Sequence, residues 1–365
     1  MKRALLITLF TIVAQFGLAI TACADPSTGI VVDRQGRVYF ADERRNIVWK
    51  IETDGRLIPF ITGRHAHKIA LDEQDNLYGE HLRYLGDDRW EFHLWKATPA
   101  GEVSYVIPPT PGFPPGLLTD RAGNRYQWGG SGNIRKTSSL IERRAPDGTI
   151  TVIAGSGWGR ADGKGAEALF SSVGGMAWGP DGALYLTDGM AVRRVTLDGA
   201  VKTIARGNLP LKPTLSWRMF SGMGGHLFGL TVDEHSNIYV ANLGGDQVAK
   251  VTPDGQVSTL LKAESGWSPT GVTMADGELY ILEHGDSGPR VRKLSADGRI
   301  TTLATVSPAN QKSLTGMNNN PIIKGAALIG LIIALLIISV FLRSVWRLIR
   351  ELQLKREEKI FWRRS

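Results

Sequence analysis

GIVVDRQGRVYFAD, residues 29–42, is a hairpin legible in one dimension. Apolar residues alternate with polar ones on both sides of Gln35-Gly36, the pattern of two short antiparallel strands joined by a tight turn. The pattern returns as KIALDEQDNLYGEH from Lys68, GLLTDRAGNRYQWG from Gly116, GMAWGPDGALYLTD from Gly175, GLTVDEHSNIYVAN from Gly229 and GVTMADGELYILEH from Gly271. Tyr39, Tyr78, Tyr126, Tyr185, Tyr239 and Tyr280 fill one slot of it, and the chain has only eight tyrosines. A register shared that widely marks one supersecondary unit used six times.

Each unit has a second half. VWKIETDGRLIPFI from Val48, LWKATPAGEVSYVI from Leu94 and IERRAPDGTITVIA from Ile141 are three of them. VRRVTLDGAVKTIA from Val192, VAKVTPDGQVSTLL from Val248 and VRKLSADGRITTLA from Val291 complete the set. Alternating apolar residues around Asp-Gly or Ala-Gly again specify strand, turn, strand. The expected fold is therefore all-β: a six-bladed β-propeller of four-stranded antiparallel blades, a ring closure that hides sheet edges. The segment Val152–Ala205 adds an Ala-Gly loop and the connector DGKGAEALF before its hairpin. In this it resembles the NHL-repeat propellers, and the resemblance covers nearly all of residues 25–305. It implies a fold and a ligand-binding face over the central channel, and leaves the function open, because such propellers serve as binding platforms and as enzymes.

The two ends carry other signals. Residues 1–24 show Lys2 and Arg3, an apolar run and a small-residue exit, as a secretory signal does. The chain's lone cysteine, Cys23, lies in that exit. Ala22-Cys23-Ala24 fits cleavage before Asp25, and Ile20–Cys23 also resembles a bacterial lipobox; simple cleavage is preferred because the other end supplies an anchor. Either way no internal disulfide can form. Residues 306–321 read as a flexible stalk. Residues 322–343 read as a transmembrane helix, since 325–342 carry no charge, and residues 344–365 as a basic cytoplasmic tail. The expected placement is a single-pass cell-membrane protein with an extracytoplasmic, periplasmic propeller.

The formal net charge of +8 then changes meaning. Residues 25–320 contain 32 Lys and Arg against 32 Asp and Glu. The excess base sits at the ends, where anionic headgroups attract it. Nucleic acid is not an expected partner; the bilayer and a protein, peptide or glycan ligand are.

Residues before the first strand and after the second meet at one rim of a blade. This gathers His65, His67, Glu80, His81, Trp128, Asp188, His226, Asn242, Glu283 and His284 as rim candidates, with Asp42 beside them. Asp42, Asp188 and Asn242 are expected to cap loop backbone donors. Imidazole with carboxylate suits zinc, iron or manganese, so His67, Glu80 and His284 are the candidate ligands of a divalent metal. His93 and His235 are read as solvated. Gluconolactonase-related propellers place Asn or Asp before the opening residue of certain blades; here those slots hold Thr28, His67, Pro115, Gly174, Phe228 and Thr270. GRADGKGAEA lacks the spacing of a phosphate loop, and no Gly-x-Ser-x-Gly elbow occurs. The expected function is a membrane-anchored binding module working through its channel mouth, with Trp128, Phe113 and Trp267 as contact area. The alternative is a metal-dependent hydrolase or lyase centred on blade two. Leu82–Lys96 lengthens that blade and is expected to overhang the channel mouth or meet a partner.

Overall fold

The computed structural model describes residues 27–87, 89–128, 139–206 and 227–307. The expected signal segment, membrane helix and tail, and the expected stalk after Ser307, fall outside these residues. Among the described residues no helix is long and apolar enough to cross a membrane.

The described residues form six antiparallel sheets, each built from strands consecutive in sequence, with four strands running from inside outward. Blade one runs through Ile30–Val32, Val38–Asp42, Ile47–Ile51 and Leu57–Thr62. Blade four takes a fifth strand, Gly163–Lys164, on its outer edge. Among the described residues no strand is exchanged between the first and last blades; Arg45 Nη2 donates to the Ser287 carbonyl at 2.9 Å across that junction.

The repeated tyrosine has a definite job. Asp233 accepts from the backbone N–H groups of His235 and Asn237, at 2.9 and 2.8 Å, and from the Tyr239 hydroxyl at 3.0 Å. Asp33, Asp72 and Asp120 do the same for their own turns and for Tyr39, Tyr78 and Tyr126. In blade four Asp181 replaces them, and in blade six Glu278 takes the tyrosine hydroxyl. A carboxylate that fills two orphan N–H groups and one buried hydroxyl fixes both turn and register.

The glycines that open the hairpins answer a different need. They lie where inner strands of neighbouring blades converge on the axis. A Cβ at Gly271 would sit 2.4 Å from the Thr28 carbonyl oxygen, and one at Gly175 would sit 2.7 Å from that of Phe228. Blade two breaks the pattern, because Lys68 occupies its opening slot. Between blades the core is apolar; Tyr39, Val48, Ile61, Ile69, Leu77 and Trp95, for example, pack blade one against blade two.

Candidate functional site at the channel mouth

The inner strands enclose a channel cavity of about 890 Å3. Its described walls are mostly apolar, with Ile30, Ile69, Leu118, Met176 and Leu230 from five blades. The lengthened blade two adds Leu82 and Trp90, and the segment after it adds Phe113. Its strands run Leu77–Gly86, Arg89–Ala97 and Val103–Pro111, longer than their counterparts in blade one. Trp90 and Phe113 pack with ring centroids 5.8 Å apart. Trp128 of blade three completes an aromatic mouth, and the Lys68 ammonium lies 3.1 Å from its ring centroid. Lys68 also pairs with Glu80 at 3.6 Å. Among the described lining residues these two are the only charged ones.

The rim candidates separate into groups. Asp42 accepts from Arg45 Nη1 at 2.9 Å and Trp49 Nε1 at 3.1 Å. Asp188 accepts from the backbone of Ser171 and Ser172, from Ser171 Oγ and from Arg193. Asn242 accepts from the Gly245 N–H at 2.9 Å. Glu283 is held by Arg290 Nε and by Arg292 Nη2. Asp188, Asn242 and Glu283 thus bond to the fold; Asp42 spends only Oδ2 this way, on side chains and not on loop backbone, and its Oδ1 is buried without a partner. His284 is buried in blade six, and burial together with Arg44 and Arg45 pushes its pKa down to about 3. His226 lies outside the described residues.

Blade two brings three of the candidates together and adds one that was read as solvated. His65 Nε2 and His67 Nε2 are 3.0 Å apart, and His65 Nδ1 is 3.0 Å from Asn46 Oδ1 of blade one. The His65 ring also stands 4.5 Å from that of His81, which stands 4.7 Å from that of His93. His93 is thus half-buried, because it lies directly across the strand pair from His81 and shares its face. Glu80, one residue from His81, necessarily faces the other side of the sheet. His67 and Glu80 both line the channel, whereas His284 lies buried in blade six. Among the described residues no three His, Cys, Asp or Glu side chains are arranged to hold a metal ion.

Backbone contacts explain why the short segment 64–67 stays in place. The Arg64 N–H donates to the Asn46 carbonyl, and the His67 N–H to that of Glu80. Ser27 Oγ and the Thr28 N–H both donate to the His67 carbonyl, while Trp95 Nε1 reaches that of His65. Burial keeps the imidazoles neutral. It pushes His67 down to about 3, with help from His65, His81 and Lys68, and His81 down to about 4, with help from His65, His93 and Arg83. His65 and His93 shift the same way, first through burial.

Sequence reading missed Lys68 and His93. A lysine in a slot that otherwise favours glycine was the signal for the first. The second needed the cross-strand register, which the irregular long hairpin hides.

No protein-family profile matches this sequence, and no curated protein resembles it significantly. Similar solved structures include a gluconolactonase from Xanthomonas campestris, at 15% identity and TM-score 0.50, covering 76% of this chain and 87% of that one. Another is virginiamycin B lyase from Staphylococcus aureus, at 17% identity and TM-score 0.46, covering 76% and 83%. At 15% identity the likeness to the gluconolactonase shows the propeller fold alone.

Proposed function

We propose that this chain is an NHL-type propeller whose channel mouth binds a small, largely apolar ligand, and that it works as a binding module. The observation that carries this is the channel itself: an apolar cavity with a mouth of Trp90, Phe113 and Trp128 and one internally paired lysine–glutamate couple. Aromatic rings, Trp90 and Trp128 held on strands and Phe113 packed against Trp90, give contact area at little entropic cost. A lactonase-type metal does not fit these residues. The slots that carry its ligands hold no carboxylate or amide, and Asp42, Asp188 and Glu283 are committed to arginines, Trp49 or backbone.

The test is titration of the full-length protein in lipid nanodiscs with N-phenyl-1-naphthylamine, a neutral dye that brightens in apolar sites, subtracting matched empty discs. Saturation at one dye per chain is expected. Phe113→Ala with Trp128→Ala should weaken binding about tenfold, the loss of two aromatic contacts. Absent saturation, or an unaffected double variant, would overturn the reading.

The propeller is further proposed to stand outside the cytoplasmic membrane, in the periplasm. Support comes from the secretory pattern of residues 1–24, the uncharged run 325–342 and the basic residues after it. Protease added to spheroplasts should then remove the propeller and spare a tag on Ser365; a protected propeller would reverse the orientation.

A further inference from the structure

The hydrogen bonds around His67 specify what kind of ligand the channel prefers. With Asn46 Oδ1, an acceptor, facing the ring at 3.0 Å, the proton of His65 is assigned to Nδ1. A neutral His65 then has its lone pair on Nε2, and His67 must meet it with Nε2–H across 3.0 Å. A neutral His67 therefore carries its own lone pair on Nδ1. That atom receives no hydrogen bond from the described residues and is not sealed from solvent, and His67 lines the channel. Each step follows from the one before, because a neutral imidazole has one donor and one acceptor.

We infer that Asn46 and His65 are positioning residues that hold His67 as a hydrogen-bond acceptor at the channel wall, and that the ligand is a neutral molecule offering a hydroxyl or amide N–H there. This rests on the channel-binding reading above. Neutrality follows from the lining: its only charged described residues, Lys68 and Glu80, lie 3.6 Å apart and offset each other, and Glu80 Oε2, buried without a hydrogen bond, would repel an anion. An anion would have to break that pair or enter unpaired, and a buried unpaired charge is costly. A ligand without a donor would leave the His67 lone pair desolvated and unmatched.

Three compounds of similar shape separate the cases when they compete with N-phenyl-1-naphthylamine on the full-length protein: 1-naphthol, 1-methoxynaphthalene and 1-naphthoate. 1-Naphthol should displace the dye at about tenfold lower concentration than 1-methoxynaphthalene, the effect of one hydrogen bond in an apolar site. 1-Naphthoate should be the weakest. Asn46→Gly removes the acceptor without strain, because Asn46 has φ 54°, a conformation glycine accepts. It should shrink the naphthol preference, and His67→Phe should bring the two neutral compounds within about twofold.

Nitrogen-15 shifts of the imidazoles supply a readout that packing alone would not move. His65 should be protonated at Nδ1 and His67 at Nε2 in the native chain, and Asn46→Gly should scramble both. If the dye never binds saturably, the channel-binding reading fails. If the dye binds but naphthol and methoxynaphthalene displace it equally, or His65 carries its proton on Nε2, the reading stands and this inference is wrong.

Discussion

His67, His81 and His284 are neutral because the fold gives their charged forms nowhere to be solvated. Their pKa values lie at about 3, 4 and 3, whereas an unfolded chain would titrate near 6.5. Between those limits the unfolded state takes up protons that the folded state refuses. Stability is therefore fully present above about pH 6.5 and is lost as the pH falls toward the folded values. The aspartates of the turns, such as Asp233, add nothing in the upper part of this window. Burial opposes their charge, but hydrogen bonds from Asn237 and Tyr239 hold Asp233 below the usual carboxylate range. The urea midpoint should drop between pH 7 and pH 4.5, and His81→Gln, which removes one titrating ring, should reduce the drop. A midpoint flat across that interval would mean that these histidines are not held neutral.

Among the strands, blade two shows how one large side chain dictates its neighbour. Trp95 is fully buried between blades one and two, and its indole N–H reaches the His65 carbonyl. Its ring occupies the space over Gly79, where an added Cβ would lie 2.1 Å from Cζ2. Gly79→Ala should cost about 3 kcal/mol by overpacking. Combined with Trp95→Phe, which opens that space, it should cost less than the sum of the two single changes in denaturant melts. Strict additivity would show that the ring does not set the glycine. At this scale the sequence was read well where the period was regular and poorly where it was not. The tyrosine slot recurs in all six hairpins, and in four of them an Asp stands six residues before it, so hairpins and turns are legible. The face of each rim residue was not used, although strand parity separates Glu80 from His81. The partnership of His81 with His93 depends on cross-strand pairing within the longest hairpin, whose length departs from that of the other blades.

Across the molecule, hydrogen bonds and close glycine contacts join successive blades into a ring. The Thr28 N–H donates to the His67 carbonyl, Trp178 Nε1 to that of Thr119, Thr187 Oγ1 to that of Phe228, and Ser268 Oγ to Asp246. Ring closure places six inner strands around one apolar space, and that followed from counting repeats. What the space is for did not, because its chemistry depends on which side chains face inward. The commitment of Asp188 and Glu283 to arginines, and the place of Lys68 and His67 in the channel wall, are properties of three dimensions. The claim that the channel mouth is the working surface is tested most directly by photolabelling. With 1-azidonaphthalene and peptide mapping by mass spectrometry, label should concentrate on the peptides containing Trp90, Phe113 and Trp128, and excess N-phenyl-1-naphthylamine should suppress it. Label spread over the outer strands, such as Val257–Lys262 or Ile300–Thr305, and unaffected by the dye would contradict the account.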